Sequence, residues 1–404
     1  MDFNKHVPLD YPKAAEYFAR WKTLCDKDGG KLWGVNLHTP FAFVDPHTRD
    51  AVANTNDNEG IFTKQGDVYV GKYPSHLPVS NSAFEFGGKR WGTAMWNTID
   101  NHDAIGTVVH EAFHCLQPSL FAHEDVEGNT DHLANDTNAR ISLLVEIEAL
   151  RHAMQTSGKA RHDAVQAAIC AREYRRNTFA SHKYENEREM CEGTAVYTEY
   201  MIAYSDSIHE KLLEYYVWVD ALQFSFGYIL GATYCYLLDM FGLQWKSGLK
   251  RASDLGKLLK TAADITNVPS YNEMDFTPYG YEKIASEEYA RAEEKAKLNM
   301  QLTEFFTQQP TLHIYEQGDL AMMGMPITVP ELGMVIRGGA EFFGGFGKLF
   351  LRNGALLSGS EFVKVTAEAL TQDNNKITGK GWDMELASSH VIKQDGNNFV
   401  VVKK

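Results

Sequence analysis

The chain has 404 residues, of which 44% are hydrophobic and 23% charged, and its formal net charge is −14. This composition is typical of a folded globular protein and excludes a disordered or fibrous chain, and the length leaves room for more than one domain. The acidic balance repels nucleic acid and anionic lipid, so neither is an expected partner.

Three features of the sequence predict a cytoplasmic protein: its N-terminal segment, its apolar runs and its cysteines. Residues 1–18 lack the basic segment followed by an apolar run that marks a secretory signal. The most apolar stretch, 226–241, is shorter than the roughly 20 residues needed to span a bilayer and contains Asp239, which favours a buried core helix. Five scattered cysteines, an odd number, argue against a disulfide framework.

Residues 1–101 are predicted to form an N-terminal helix and a β subdomain. Tyr11-Pro12-Lys13 can open the helix, and Asp28-Gly29-Gly30 can close it. From Leu32 to Trp96, short apolar runs alternate with turn signals such as Gly87-Gly88, and this pattern indicates strands.

The rest of the chain predicts a helical part followed by a β domain. Residues 102–308 carry apolar side chains at spacings of three and four, which is the period of a helix. Residues 309–404 contain glycine-rich text and short β-prone runs such as WDMELA and NFVVVKK, which predict a C-terminal antiparallel β domain. We therefore predict an α+β fold with the catalytic unit in the first two parts.

Residues 110–114 read His-Glu-Ala-Phe-His, the pattern HExxH. In a helix, residues four apart share a face, so His110 and His114 can both bind one metal ion. Glu111 lies beside the first histidine, where its carboxylate can act as general base toward a water molecule. The neighbouring side chains are apolar, and two histidines and a glutamate would be costly to bury there without a function. This setting favours a zinc site over the alternative of surface histidines.

A catalytic zinc site needs a third protein ligand and an open position. Glu192 is the candidate, because it begins the run Glu-Gly-Thr-Ala, whose small side chains permit a close approach between helices. It lies far enough beyond His114 for two helices to intervene. Glu185, Glu189 and Glu199 are rival ligands, each of which is individually predicted to be a solvated charge.

HExxH followed on a later helix by a glutamate before small residues resembles the gluzincin metallopeptidases, in which two histidines and a glutamate bind zinc and the glutamate of the motif activates water. Over nearly its full length the chain is also similar to a family of uncharacterised bacterial HExxH proteins of metallopeptidase type. The stretches that carry this likeness include LWGVNLHTPFAFVDPHTRDAVAN, HEAFHCLQ, ARISLLVEIEAL, EGTAVYTEY, FGYILGATYCYLLD and GKGWDMEL. The resemblance implies a zincin-like catalytic unit, zinc as the cofactor, and a peptide or protein substrate.

The resemblance also implies a catalytic tyrosine. In the aminopeptidase-like branch of gluzincins, a tyrosine in a Tyr-x-x-Gly segment stabilises the oxyanion, and residues 228–231 have this form. A phenol near the metal can stabilise charge as it develops on the carbonyl oxygen. Tyr234 is an alternative to Tyr228, and both residues can also be read as core tyrosines.

The segment Trp91–Trp96 is predicted to be the strand before the motif helix. In gluzincins the corresponding edge strand pairs with an extended peptide. Arg140 and Glu146, on a later helix, are predicted either to orient the ligands or to pair with each other.

Other charged groups are predicted to be solvated. Arg175-Arg176 is read as a charged helix face. His102-Asp103, His123-Glu124-Asp125 and His132 lie in polar text, where a second metal site is the less favoured alternative.

We predict from these patterns a zinc-dependent metallohydrolase, and in the first place a peptidase. One alternative is a protein that binds zinc without turnover and uses its C-terminal domain as a binding surface. The presence of Glu111 counts against that alternative, since a structural metal needs no base. The other alternative is a zinc hydrolase of a non-peptide substrate, which shares the chemistry and differs only in the shape of its cleft.

Overall fold

The computed structural model describes residues 6–99, 104–322, 326–329, 332–359 and 362–404. The fold is α+β, and internal contacts divide the chain into two units, Met1–Ala285 and Ser286–Lys404. The division falls inside the helix Tyr281–Gln308, whereas the sequence analysis places a boundary at residue 308, where the strands of the second unit begin.

Helix α1, Tyr11–Asp28, has the ends that the sequence predicts. The Asp10 side chain accepts a hydrogen bond from the Lys13 amide at its N-terminus, and Pro12 occupies the first turn. Gly29 ends the helix with φ of 59°, a left-handed conformation that glycine adopts without strain.

The strands that follow form one mixed sheet. They are β1 (Phe41–Val44), β2 (Asp50–Ala53), β3 (Phe62–Gln65), β4 (Val68–Lys72), β5 (Ser82–Phe86) and β6 (Lys89–Met95). The strand order is β3-β4-β2-β1-β6-β5, with β1 and β6 parallel and the other pairs antiparallel. The prediction that the strand Trp91–Trp96 is an edge was therefore wrong, because β6 lies between β1 and β5 and, among the strands described, β3 and β5 are the edges.

Helices make up most of the remainder of the first unit. They are α2 (Ala104–Leu120), α3 (Asp131–Asn135), α4 (Thr137–Gln155), α5 (Gly158–Phe179), α6 (His182–Arg188), α7 (Thr194–Ala203), α8 (Ile208–Leu213), α9 (Leu222–Met240) and α10 (Leu255–Ala262), and α11 (Tyr281–Gln308) leads into the second unit. A five-residue π-helical segment, Glu189–Gly193, joins α6 to α7 without a break, and we call it the π segment. Helices α1, α2, α4, α5, α7 and α9 and the inner strand β1 share one apolar core.

Helix α9 carries the apolar run noted in the sequence. Among the residues described, Val219–Met240 is long and apolar enough to cross a membrane by length and composition. However, 72% of the apolar 18-residue window within this stretch is buried inside the fold. Its apolar surface is thus covered by neighbouring elements of the chain, as in the core helix of a soluble protein.

A buried network of ion pairs holds α5 against the helix that contains the π segment. The side chains of Arg172, Arg175 and Arg176 are at most 3% exposed. Arg172 Nη2 lies 2.6 Å from Glu189 Oε2, and Arg175 Nη2 lies 2.9 Å from Glu185 Oε2. Arg176 contacts both glutamates, at 3.0 and 3.2 Å. The prediction that Arg175 and Arg176 are solvated was wrong, because glutamates of the following helical segment pair with both charges inside the fold.

One prediction was that Arg140 and Glu146 pair with each other. In the structure each of them has other partners. Arg140 donates to the carbonyl oxygens of Leu133 and Val219, at 2.9 and 2.6 Å. Glu146 instead lies in the buried network, 3.0 Å from Arg172 Nη1 and 2.7 Å from Arg175 Nη1. Both residues thus stabilise the packing of the helices.

Removal of one carboxylate from this network is expected to destabilise the first unit strongly. Glu185→Ala leaves Arg175 and Arg176 buried with one partner fewer each, and we expect the free energy of unfolding to fall by about 3–5 kcal/mol. The exposed Glu16 provides a matched control, and Glu16→Ala should change this free energy by less than about 0.5 kcal/mol. Urea denaturation of both variants checks this, and equal midpoints would show that the network contributes nothing.

The same carboxylate predicts a sensitivity to acid. Burial by itself would raise the pKa of Glu185, but Arg175, His132 and Arg176 outweigh burial and hold this pKa well below its ordinary value. The resulting stabilisation is present above the unfolded-state pKa of about 4.3 and is lost as pH falls through the folded-state pKa. We therefore expect urea midpoints to fall more steeply below about pH 4.3 in the wild type than in Glu185→Ala. Parallel pH profiles would contradict this expectation.

The second unit contains two sheets. Their strands are β7 (Thr311–Ile314), β8 (Gly318–Met322), β9 (Ile327–Val329), β10 (Gly333–Arg337), β11 (Ala340–Gly344), β12 (Gly347–Leu351), β13 (Ala355–Ser358), β14 (Val363–Thr366), β15 (Thr371–Asp373), β16 (Lys376–Gly379), β17 (Trp382–Leu386), β18 (His390–Asp395) and β19 (Asn398–Lys403). Their orders are β18-β19-β7-β14-β13-β10-β9 and β15-β16-β17-β12-β11-β8. Apart from the parallel pair β7 and β19, neighbouring strands are antiparallel, and residues of both sheets share one apolar core. The predicted C-terminal β domain thus consists of two packed sheets.

Candidate metal centre

Three side chains of the first unit direct ligand atoms toward one point. His110 and His114 lie one turn apart on α2, with ring centroids 4.9 Å apart. Glu192 Oε2 is 3.5 Å from His110 Nε2 and 3.6 Å from His114 Nε2. The three ligand atoms lie within 4.8 Å of one another, and the side chains are only 11–14% exposed. The structure thus brings together the three residues that the sequence analysis selects as ligands.

The spacing of these atoms fits a small metal ion. Ligands about 2.0–2.2 Å from a tetrahedral centre lie about 3.4 Å from one another. The two distances from Glu192 Oε2 to the histidine nitrogens are close to this value. The group can therefore hold an ion with little movement of its side chains.

The electrostatics of the group also favour a cation. Burial disfavours a charged His110, but hydrogen bonds to Glu192 and Glu199 outweigh burial and raise its pKa to about 9. Burial would likewise raise the pKa of Glu192, yet its contacts with His110 and His114 hold this pKa well below the ordinary value. The carboxylates thus stabilise positive charge at the imidazoles, whether a proton or a metal ion supplies it.

The π segment positions Glu192. A π turn widens the helix and leaves backbone carbonyls without their usual α-helical partners, and such turns occur frequently at functional sites. Here Gln117 Nε2, from α2, donates to the carbonyl oxygens of Met190 and Cys191, at 3.3 and 2.6 Å. It also lies 3.1 Å from Thr194 Oγ1. Gln117 therefore fastens the widened turn to the helix that carries both histidines.

Glycines allow α9 to support the π segment from the other side. A Cβ atom added at Gly193 would lie 2.3 Å from the Gly231 Cα atom, and one added at Gly231 would lie 2.3 Å from the Glu189 carbonyl oxygen. A Cβ at Gly227 would lie 2.7 Å from the Arg188 carbonyl oxygen. The small residues after Glu192 thus permit a close helix approach, although the contact at Gly193 is with α9 and not with the motif helix α2, for which it was predicted.

Each histidine is oriented through its other ring nitrogen. His114 Nδ1 lies 2.8 Å from Gln117 Oε1, and His110 Nδ1 lies 3.3 Å from Glu199 Oε2. Donation of the Nδ1 proton to these acceptors leaves Nε2 of each ring free to bind a metal. Glu199 is thus neither a ligand nor a solvated charge, since its side chain is 13% exposed and lies behind His110. Glu185 and Glu189, the other rivals, are in the ion network.

Glu111 is buried on α2 beside the ligands. Burial raises the pKa of its carboxyl group, His110 and His114 oppose this change, and Glu192 and Glu199 add to it. A carboxyl group whose pKa is raised toward neutrality accepts and returns a proton more readily than an ordinary glutamate. Glu111 is therefore a buried carboxyl group, next to His110 in the chain, whose pKa is raised.

The two candidate tyrosines lie in different environments. The Tyr228 ring stacks on the His110 ring, with centroids 5.9 Å apart and planes 10° apart, and burial together with Glu192 raises its pKa. The Tyr234 hydroxyl instead donates to Glu146 Oε1 at 2.6 Å, and the side chain is fully buried in the ion network. The structure therefore brings Tyr228, and not Tyr234, to the candidate metal ligands.

A cleft of about 460 Å³ opens beside His114 and Glu192. Its lining comes from the sheet, from α2 and its following loop, from α6 with the π segment, and from the loop before α10. These residues are Ser82, Ala83, Arg90, His114, Gln117, Pro118, Phe121, His123, Glu187, Cys191, Glu192 and Arg251. The edge strand β5 thus borders the cleft through Ser82 and Ala83.

Three residues contact the candidate ligands in ways that the sequence did not predict. Gln117 and Arg188 went unnoticed, and Glu199 was weighed only as a ligand or a solvated charge. Arg188 Nη1 lies 3.3 Å from Glu192 Oε1, one helical turn away. Gln117 follows His114 by three residues, so helical spacing was an available signal for it. The reach of Glu199 to His110 joins two distant helices, and no local pattern predicts it.

The residues weighed for a second metal site lie apart. His123 is exposed beside Asp125, and His132 contacts Glu185 at 3.1 Å while stacking on Phe179. Within the described part of the chain, His110, His114 and Glu192 form the one group with metal-ligand spacing. His102 and Asp103 lie outside the described residues.

Comparisons with protein-family models, with curated proteins and with solved structures give no match to this chain.

Proposed function

We propose that the protein is a zinc-dependent metallohydrolase of gluzincin type, and that its substrates are peptides. The observation that carries the proposal is the convergence of His110 Nε2, His114 Nε2 and Glu192 Oε2 beside a buried Glu111. Two imidazoles and one carboxylate suit zinc, and catalytic zinc sites commonly have three protein ligands. The zincin-like assignment rests on this ligand set and on the sequence resemblance.

The chain supplies the remaining parts of a hydrolytic reaction. When bound, zinc would polarise the scissile carbonyl group and make a water molecule more acidic. Glu111 takes the proton from the attacking water and passes it to the leaving amine. The Tyr228 hydroxyl, whose raised pKa keeps it protonated, donates a hydrogen bond to the oxyanion. Gln117 and Glu199 keep the imidazole rings in place.

The cleft supports a peptide as the substrate. Strand β5 borders it and is one of the two edge strands among those described, so its backbone can pair with an extended chain. Pairing by backbone hydrogen bonds is independent of side-chain identity, which suits an enzyme that acts on peptide bonds.

Zinc titration and peptide hydrolysis test the proposal together. We expect the purified protein to bind one zinc ion per chain and to cleave members of a mixed peptide library, as followed by mass spectrometry. Chelation should stop cleavage, and added zinc should restore it. Stoichiometric zinc without cleavage of any peptide would favour a non-catalytic role or a different substrate. Absence of zinc binding would contradict the proposal as a whole.

Loss of the Glu199 carboxylate is expected to weaken zinc binding. Glu199→Ala removes the acceptor that orients His110, and such partners typically contribute about 10- to 100-fold to metal affinity. The exposed Glu210 of α8 provides a control, and Glu210→Ala should leave the zinc affinity unchanged. Competition with a chromophoric chelator measures both affinities. Equal affinities would show that Glu199 does not orient His110.

A further inference from the structure

Arg90 lies where it can contact a substrate. On β6, Arg90 is two residues from Gly92, so both residues face the same side of the sheet. That side packs against α2, because a Cβ atom at Gly92 would lie 3.1 Å from the Glu111 carbonyl carbon. Arg90 accordingly lines the cleft together with His114 and Glu192.

The guanidinium group of Arg90 has N–H donors for which the described residues provide no acceptor. Within the described part of the chain its polar partner is Glu85, through an Nη1–Oε1 distance of 3.3 Å, and the Glu85 side chain is 77% exposed. Such an exposed pair is weak. Arg90 Nε is buried and has no hydrogen-bond acceptor among the described residues. The Arg90 side chain as a whole is 37% exposed, so its guanidinium group can turn in the cleft and present the Nε–Nη2 edge to the two oxygens of a carboxylate.

The other charges around the cleft leave this edge available. Arg251 is already paired with Glu187, at 3.0 Å. Glu192 is bound to the two histidines and to Arg188. The cleft therefore presents a cationic side chain that is paired, among the described residues, through Nη1 and not through Nε, in a chain whose net charge is −14.

We propose that Arg90 binds a carboxylate of the substrate, so that the preferred substrates are peptides with a carboxylate close to the scissile bond. The carboxylate is either the C-terminus of the peptide or an acidic side chain. This inference rests on the proposed function and deepens it. A substrate without the group would leave Arg90 Nε buried and unpaired, and a site built for a hydrogen-bonded partner discriminates against ligands that lack it.

Binding of hydroxamates to the zinc-loaded, full-length protein tests the proposal without requiring turnover. The probes are a series of alkyl hydroxamates with two to six methylene groups, each ending in a carboxylate or in the matching primary amide. The hydroxamate anchors each probe at the metal, and the chain length samples the distance to Arg90. We expect the best carboxylate to bind roughly 10- to 100-fold more tightly than its amide, as measured by calorimetry.

Variants assign this preference to Arg90. Arg90→Gln should abolish it, and Arg90→Lys should retain part of it, since lysine keeps the charge but not the fork. Arg20→Gln, at an exposed position on α1, is the matched control and should retain the full preference. The same preference in Arg90→Gln as in the wild type, or equal binding of both probe types by the wild type, would overturn the proposal.

The outcomes also separate this inference from the proposed function. Binding of the amide probes without any preference for carboxylates leaves the metal site standing and removes only the role of Arg90. Failure of the protein to bind zinc or any hydroxamate removes both.

Two pairs of peptide substrates identify the source of the carboxylate. The first pair differs in a free or amidated C-terminus, and the second differs in glutamate or glutamine beside the scissile bond. A preference that is lost in Arg90→Gln identifies the C-terminus if it occurs in the first pair and an acidic side chain if it occurs in the second. Cleavage without such a preference in either pair would contradict the proposed substrate class.

Discussion

Replacement of Glu111 by glutamine is expected to lower kcat for peptide hydrolysis by roughly 10²- to 10⁴-fold, the usual contribution of general acid–base catalysis. Glutamine keeps the shape of the side chain but cannot accept a proton from water. Glu111 does not belong to the group His110, His114 and Glu192 that is proposed to bind the metal. The Glu111→Gln variant should therefore still bind zinc.

Two measurements on one preparation distinguish a base from a structural residue. Zinc content should remain at one ion per chain in Glu111→Gln, while the rate of peptide cleavage collapses. Glu210→Gln, on the exposed face of α8, controls for the substitution itself. Unchanged hydrolysis in a zinc-loaded Glu111→Gln protein would remove the proposed mechanism.

Gly231→Ala is expected to damage both stability and activity. The added methyl group would lie 2.3 Å from the Glu189 carbonyl oxygen and 2.7 Å from the Gly193 Cα atom. Both contacts are with backbone, so no side-chain rotation can relieve them, and α9 must move away from the π segment. Overpacking of this kind costs about 1–3 kcal/mol of folding free energy, and sometimes more.

The movement also displaces Glu192, which lies within the π segment. A shift of about 1 Å in a catalytic constellation can lower activity by about 100-fold, so we expect a loss of this size in kcat/KM. Gly60→Ala is a control for backbone strain alone, since Gly60 has φ of 80° and an added Cβ would meet no atom within 4 Å. Gly60→Ala should cost about 1 kcal/mol and leave zinc affinity intact. Equal zinc affinity and activity in both variants would contradict the proposed role of the glycine contact.

Local sequence patterns were sufficient to predict much of the fold and the group of three side chains at the candidate metal centre. Helix α1 carries its own start and stop signals, and HExxH lies within a single helix, where a spacing of four residues determines a shared face. Glu192, which the small residues after it singled out, also lies beside the two histidines in the structure. These features depend on neighbours within a few residues of one another.

Features that depend on distant pairing were predicted less well. The order of β6 and β5 is decided by strand pairing, which the text of a single strand does not reveal. Arg175 and Arg176 look like a solvated face until Glu185 and Glu146 are brought against them. The π segment has no periodic signature, and it depends on a hydrogen bond from Gln117 and on a glycine contact from α9. Tyr228 and Tyr234 both have mainly apolar neighbours in the sequence. Only the packing of the helices places Tyr228 against His110 and Tyr234 in the buried ion network.

The position of a metal ion in a crystal tests the central claim most directly. We predict that zinc-loaded crystals show one anomalous peak at the zinc edge in the first unit, about 2.0–2.2 Å from His110 Nε2, His114 Nε2 and a Glu192 carboxylate oxygen. Gln117 and Glu199 should remain bonded to the Nδ1 atoms of the two rings. A peak elsewhere, or zinc-soaked crystals without a peak among these three side chains, would contradict the account.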